Sequence, residues 1–155
     1  MALVRILVDG YSLLHNWPSL AKGSPRHSAA ARDGLIARLT LYRDAVGTPI
    51  TIFFDGAGAT STAPRMVSGA DIEVLFSKAG QTADQMIERA AYRFREFGEV
   101  LAVTDDIAER ETVTSMGGMA MNCDNFIQTV ENALAELQDD IKAHNRRERQ
   151  RFKKR

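Results

Sequence analysis

Apolar and polar positions alternate along this chain in two different rhythms. Ile6-Leu7-Val8 is a short apolar run closed by Asp9, with Gly10 turning the chain behind it, the pattern of a strand buried on both faces in a parallel sheet. After a loop with breakers at Gly23 and Pro25, Leu35, Ile36, Leu39 and Tyr42 or Arg43 recur at helical spacing and predict a helix over 29–45, stopped by Gly47 and Pro49. Arg32, Asp33, Arg38 and Asp44 would point outward from it. Ile50–Phe54 reads as a second strand, ending on Asp55-Gly56, and Ile72–Phe76 as a third nearer a sheet edge. Thr82 has the position of an N-cap for a helix to about Phe97, with Met86, Ile87, Ala90, Ala91 and Phe94 as its buried stripe. Val100–Thr104 is a fourth strand, closing on Asp105-Asp106.

Residues 107–121 suggest a short helical or irregular piece broken by Gly117-Gly118, whose methionines Met116, Met119 and Met121 would pack against the last helix. That helix starts near Cys123, with Ile127, Val130, Leu134, Leu137 and Ile141 spaced three and four apart. Such a narrow seam suits a coiled coil or a helix laid on its own domain; about two heptads favour the domain. Strands alternating with helices indicate an α/β sandwich with a mainly parallel sheet and a long C-terminal helix.

A chain of 155 residues fits one domain. No apolar segment approaches the roughly 20 residues that cross a bilayer, and a signal-peptide pattern is lacking. The single cysteine, Cys123, excludes an internal disulfide and a cysteine zinc cluster, so a cytoplasmic setting is expected. The net charge of zero is unevenly distributed: residues 142–155 hold eight Lys/Arg against one acid, leaving 12 basic and 19 acidic residues before them. We divide the chain into a domain over 1–141 and a basic tail over 142–155. The tail has the electrostatic footprint of a nucleic-acid binder, which an acidic body acting on a polyanion would need. Arg146, Arg147, Arg149, Arg151, Lys153 and Lys154 carry it.

Three strands end in acids, at Asp9, Asp55 and Asp105-Asp106, and Asp84 opens a helix at the same sheet edge, with Glu88 one turn on. Ligands of open α/β sheets bind at this carboxyl edge. Clustered carboxylates repel, and a hard divalent cation, Mg²⁺ or Mn²⁺, relieves them. Two such ions can serve phosphodiester cleavage. Each acid also has a structural reading. Asp106 with Glu109 has capping-box spacing, Asp84 favours a helix start, and Asp55-Gly56 suits a turn. Trp17 reads as a core or lid aromatic, and His15 as a loop histidine or, less simply, a metal ligand. Arg65, in the loop over 56–70, would meet phosphate or only water.

The ordered segments Leu-Val-Asp-Gly-Tyr, Ala-Arg-Asp-Gly-Leu-Ile, Phe-Phe-Asp, Thr-Ala-Asp-Gln-Met-Ile-Glu and Val-Thr-Asp-Asp-Ile-Ala-Glu resemble the YacP-like NYN domain family, a branch of the PIN-like metal-dependent ribonucleases, over roughly residues 3–137. The resemblance implies a Rossmann-like PIN/NYN three-layer sandwich and an Mg²⁺- or Mn²⁺-dependent endoribonuclease acting on mRNA, in some members in connection with the ribosome. Carried over residue by residue, Asp9, Asp84 and Asp106 fall on the family's catalytic acids. Asp55, Glu88 and Asp105 join them as metal ligands, and Glu109 matches a flanking acid. The family has Asn where this chain has Ser12, which would orient Asp9 or bind RNA phosphate. That departure keeps open a second expectation, an RNA- or ribosome-binding module with weak or lost nuclease activity. A monomer or weak dimer is expected.

Overall fold

A computed structural model describes residues 3–21, 23–25, 27–56, 65–66 and 72–153. The apolar runs form strands β1 (Leu3–Asp9), β2 (Ile50–Phe54), β4 (Ile72–Phe76) and β5 (Glu99–Val103), with short strands β3 (Arg65–Met66) and β6 (Met119–Met121). They make a sheet of order β3-β4-β2-β1-β5-β6. Every neighbouring pair is parallel except β3 with β4. The helices are α1 (Gly10–His15), α2 (Ala29–Val46), α3 (Ala83–Phe94), α4 (Ile107–Ser115) and α5 (Cys123–Lys153), with a 3-10 turn at Pro18–Ala21.

Period-two alternation explains why β1 must be covered on both faces. Ile6 and Val8 pack with Leu13, Leu35, Leu39, Phe126 and Val130 from α1, α2 and α5. Leu7 faces the other way, onto Ala83, Ile87, Ala91 and Val113 of α3 and α4. The result is the expected three-layer α/β sandwich. From β1 the chain moves outward through β2 to β4, then returns to the other side of β1 for β5 and β6. The strand order therefore reverses between β1 and β5, which opens a crevice at the carboxyl ends of these strands.

The helix boundaries follow local chemistry. Ser28 caps α2 by accepting the Ala31 N–H at 3.2 Å, and Gly47 closes it at φ +79°, a left-handed conformation costly for other residues. Thr82 and Gln85 form a reciprocal capping box on α3. Gly10 begins α1 rather than a plain turn; a Cβ there would collide with the Phe54 ring.

The structure bears out one expectation here and corrects others. The stretch before Gly117-Gly118 takes the helical form expected, as α4, while beyond the glycines the chain adds an unexpected strand, β6, alongside β5. The methionines separate: Met121 packs with the α5 layer, Met116 with the α3–α4 layer, and Met119 is exposed. Arg38 reaches across from α2, and its Nη2 donates to both carboxylate oxygens of Glu131 on α5, at 2.8 and 2.9 Å. Arg32 also has partners. The α5 seam packs on the body through Leu134 and then leaves it, with Leu137 41% and Ile141 52% exposed. The basic tail continues the same helix to Lys153. No helix among the described residues is long and apolar enough to cross a membrane.

Candidate acidic site at the sheet edge

Strand register carries the first acids to one edge. Asp9 is level with Phe53, and Val8 with Val103, so Asp55 and Asp105 leave their strands just past the level of Asp9. Asp9 is also the N-cap of α1: its carboxylate accepts the Ser12 N–H at 3.4 Å and the Ser12 hydroxyl at 2.9 Å. It is only 9% exposed. Burial lifts its carboxyl from 3.8 to about 6; the two Ser12 bonds oppose the rise, and the charges of Asp84 and Asp55 add to it.

Asp84 sits in the first turn of α3, and Asp106 caps α4 by accepting the N–H groups of Ala108 and Glu109 at 2.9 and 3.3 Å. One turn into α4, Glu109 points inward and is 2% exposed. Carboxylate oxygens of Asp84, Asp106 and Glu109 lie within 4.8 Å of one another. Glu109 Oε1 is buried and finds no donor among the described residues. Its neighbour Asp84 is another acceptor, so one of the two must carry a proton to bridge them. Burial first, then that bridge, then the charges of Asp84, Glu88 and Asp9 push Glu109 up to about 9. An orphaned buried oxygen among three hard-oxygen donors suits a small divalent cation.

The remaining acids divide by what holds them. Asp55 accepts the Ala83 N–H at 2.7 Å and so fixes the start of α3 beside the site. Both oxygens of Asp105 are engaged, one by the Cys123 N–H at 2.9 Å and the other by the Asn16 side-chain amide at 2.7 Å. Asp105 thus ties β5 to the ends of α1 and α5. Asp105→Ala is expected to lower stability by about 1 kcal/mol, the loss of a helix-end acceptor, read as a lower urea midpoint with an unchanged slope.

Of the predicted catalytic acids, Asp84 and Asp106 fall in the tight group, and Asp9 stands beside it, near enough for their charges to interact. Glu109 is the member that capping-box spacing disguised. Asp106 does cap, but Glu109 turns into the core instead of back to the helix end. Trp17 is core, 4% exposed. His15 is exposed at the end of α1 and outside the carboxylate group. Arg146, Arg147, Arg149, Arg151 and Lys153 are exposed on the last turns of α5. Lys154, the Arg65 side chain and most of the 56–70 loop lie outside the described residues.

The fold and the family of this chain have known counterparts. The YacP-like NYN domain family matches residues 6–155. A Bacillus subtilis relative described as uncharacterized protein YacP is 27% identical over 127 residues, covering 81% of this chain and 74% of its own. The crystal structure of Rae1 (YacP) from Bacillus subtilis superposes with a TM-score of 0.74 at 24% identity, over 92% of this chain and 81% of that one. A single-substitution variant of it gives 0.75, over 91% and 83%. The structures share the fold, and the family match over nearly the whole length carries the assignment further. The chain belongs to the YacP-like NYN domain family, as a nuclease-like domain with an RNA-related role.

Proposed function

We propose that the protein is a cytoplasmic, divalent-metal-dependent endoribonuclease that cleaves mRNA, with the ribosome as a candidate partner. The observation that carries this reading is the convergence of Asp84, Asp106 and the donorless buried oxygen of Glu109 at the point where the strand order reverses. Asp84, Asp106 and Glu109 would hold Mg²⁺ or Mn²⁺, with Asp9 completing the negative wall. When bound, such an ion supplies the positive charge that polarises a phosphodiester and eases deprotonation of water.

The chain's own groups prepare for that role. Ser12 gives Asp9 two donors and fixes the carboxylate's orientation, so serine serves here where the family has asparagine. Asp106 spends one oxygen on its helix cap and keeps the other for a ligand. Asp55 and Asp105 set the helices in place, and Glu88 adds charge behind Glu109. The exposed cations of α5 supply phosphate contacts that carry little sequence information and weaken with salt.

The test is cleavage of end-labelled single-stranded RNA with Mn²⁺ or Mg²⁺ against an EDTA control. Wild type is expected to cut only with the metal, and Asp84→Asn to lose at least about 100-fold. RNA binding without cutting by wild type would replace the nuclease with a recognition module.

A further inference from the structure

On the β2–β4 side of Asp9, in the layer of α1 and α2, the chain builds a second cluster of different character. Tyr11, two residues after Asp9, packs its ring against the exposed His27 ring at 4.4 Å and against Phe54 at 4.8 Å. Phe54 immediately precedes Asp55 and stacks on Phe76 at 5.5 Å. Gly10 is what lets the Phe54 ring approach the backbone behind Asp9. Into this aromatic wall α2 delivers Arg32. Its Nη1 donates to the Tyr11 hydroxyl at 3.1 Å and to the His27 carbonyl at 2.8 Å, and the guanidinium lies 5.8 Å from the Phe76 ring centre.

Both contacts use one nitrogen. Nε and Nη2 of Arg32 have no partner among the described residues, and no carboxylate pairs with it there. A guanidinium held in place by one corner, with its remaining donors uncommitted, is the arrangement that recognises a phosphate. An exposed ring beside it offers a stacking surface to an unpaired base. The acids next door repel a polyanion, so an RNA strand crossing this edge needs a fixed cation close by.

We infer that Arg32, Tyr11 and His27 form a nucleotide subsite flanking the cleavage centre: Arg32 takes the phosphate next to the scissile one, Tyr11 positions Arg32, and His27 stacks on the adjoining base. This rests on the nuclease reading and deepens it. It also assigns a role to three residues remote from the basic end of α5.

The experiment is binding of a fluorescent single-stranded RNA to the full chain in EDTA, by anisotropy, across a salt series. One phosphate contact on a single strand contributes about 0.7 to the slope of log K against log salt. Arg32→Gln, which keeps donors toward the Tyr11 hydroxyl, is expected to reduce that slope by about 0.7. Arg32→Lys is expected to restore it. His27→Ala should weaken binding by roughly tenfold, whereas His27→Phe should keep it. The Mn²⁺-induced rise in melting temperature should be the same in Arg32→Gln as in wild type, which separates a lost subsite from a damaged fold. Wild-type salt slope in Arg32→Gln, with wild type itself binding and cutting RNA, would overturn the subsite alone. A wild type that neither binds nor cuts RNA would remove the nuclease reading and the subsite with it.

Discussion

Replacing Glu109 by glutamine is expected to move activity and stability in opposite directions. Cleavage should fall by about 100-fold or more, as for Asp84→Asn, because a neutral amide cannot supply the buried anionic oxygen. Melting temperature in EDTA at pH 8 should instead rise, by about 5 °C. The sign follows from linkage. Glu109 titrates near 9 in the folded chain against an ordinary 4.5, so between these values the folded state holds a proton that the unfolded state has released. Stability is therefore fullest below pH 4.5 and drains away as pH rises toward 9. The amide carries no such proton and feels no such loss, so the two proteins should converge near pH 5. A metal ion must displace the same proton, so Mn²⁺ should stabilise wild type more at pH 8 than at pH 6 and the variant little at either. Thermal melts across pH, with and without Mn²⁺, check all of this. A variant less stable than wild type at pH 8 would show that Glu109 is a satisfied core residue.

Phe126→Ala carries the largest expected loss of stability, about 4 kcal/mol, against the 5–15 kcal/mol that typically holds a domain together. Phe126 is fully buried, meets Tyr42 edge-on at 5.7 Å, and is one of the buried residues, with Cys123 and Val130, that hold α5 on the sheet layer. Truncation leaves a cavity between α2 and α5 that two helices joined by the Arg38–Glu131 clamp cannot readily close. The urea midpoint should fall by more than a molar unit at a slope typical of small domains. Leu137→Ala, farther along the same seam but 41% exposed, should change it little. Equal effects at the two positions would mean that the outer half of α5 is buried in solution.

The sheet was legible because apolar runs bounded by Asp-Gly or Asp-Asp leave few alternatives, and the same boundaries announced Asp9, Asp55, Asp105 and Asp106 at one edge. What sequence could not separate was the work of each acid. Asp105 and Asp106 are adjacent and chemically identical; only the fold gives Asp105 to Asn16 and Cys123 and leaves Asp106 facing Asp84. Glu109 was hidden because i+3 spacing from a cap serves two geometries, and tertiary packing chose the inward one. The β6 strand was missed since Met119–Met121 is too short to show a period. For Arg32 and Arg38, helical spacing gives the outward face they occupy but not that another helix or an aromatic ring meets them there.

Helix α5 begins at the acid edge, where Asp105 holds the Cys123 N–H, and runs without a break for 31 residues. At 1.5 Å per residue this is about 45 Å. Its cations are thus mounted on a rigid rod whose foot stands at the carboxylates, and the chain carries a built-in ruler. If the proposed RNA contacts are made, a short oligonucleotide would touch the foot or the far end, while a strand long enough to span the rod would gain the second contact at high effective concentration. On the nuclease reading proposed above, cleavage would then depend on substrate length more than on sequence.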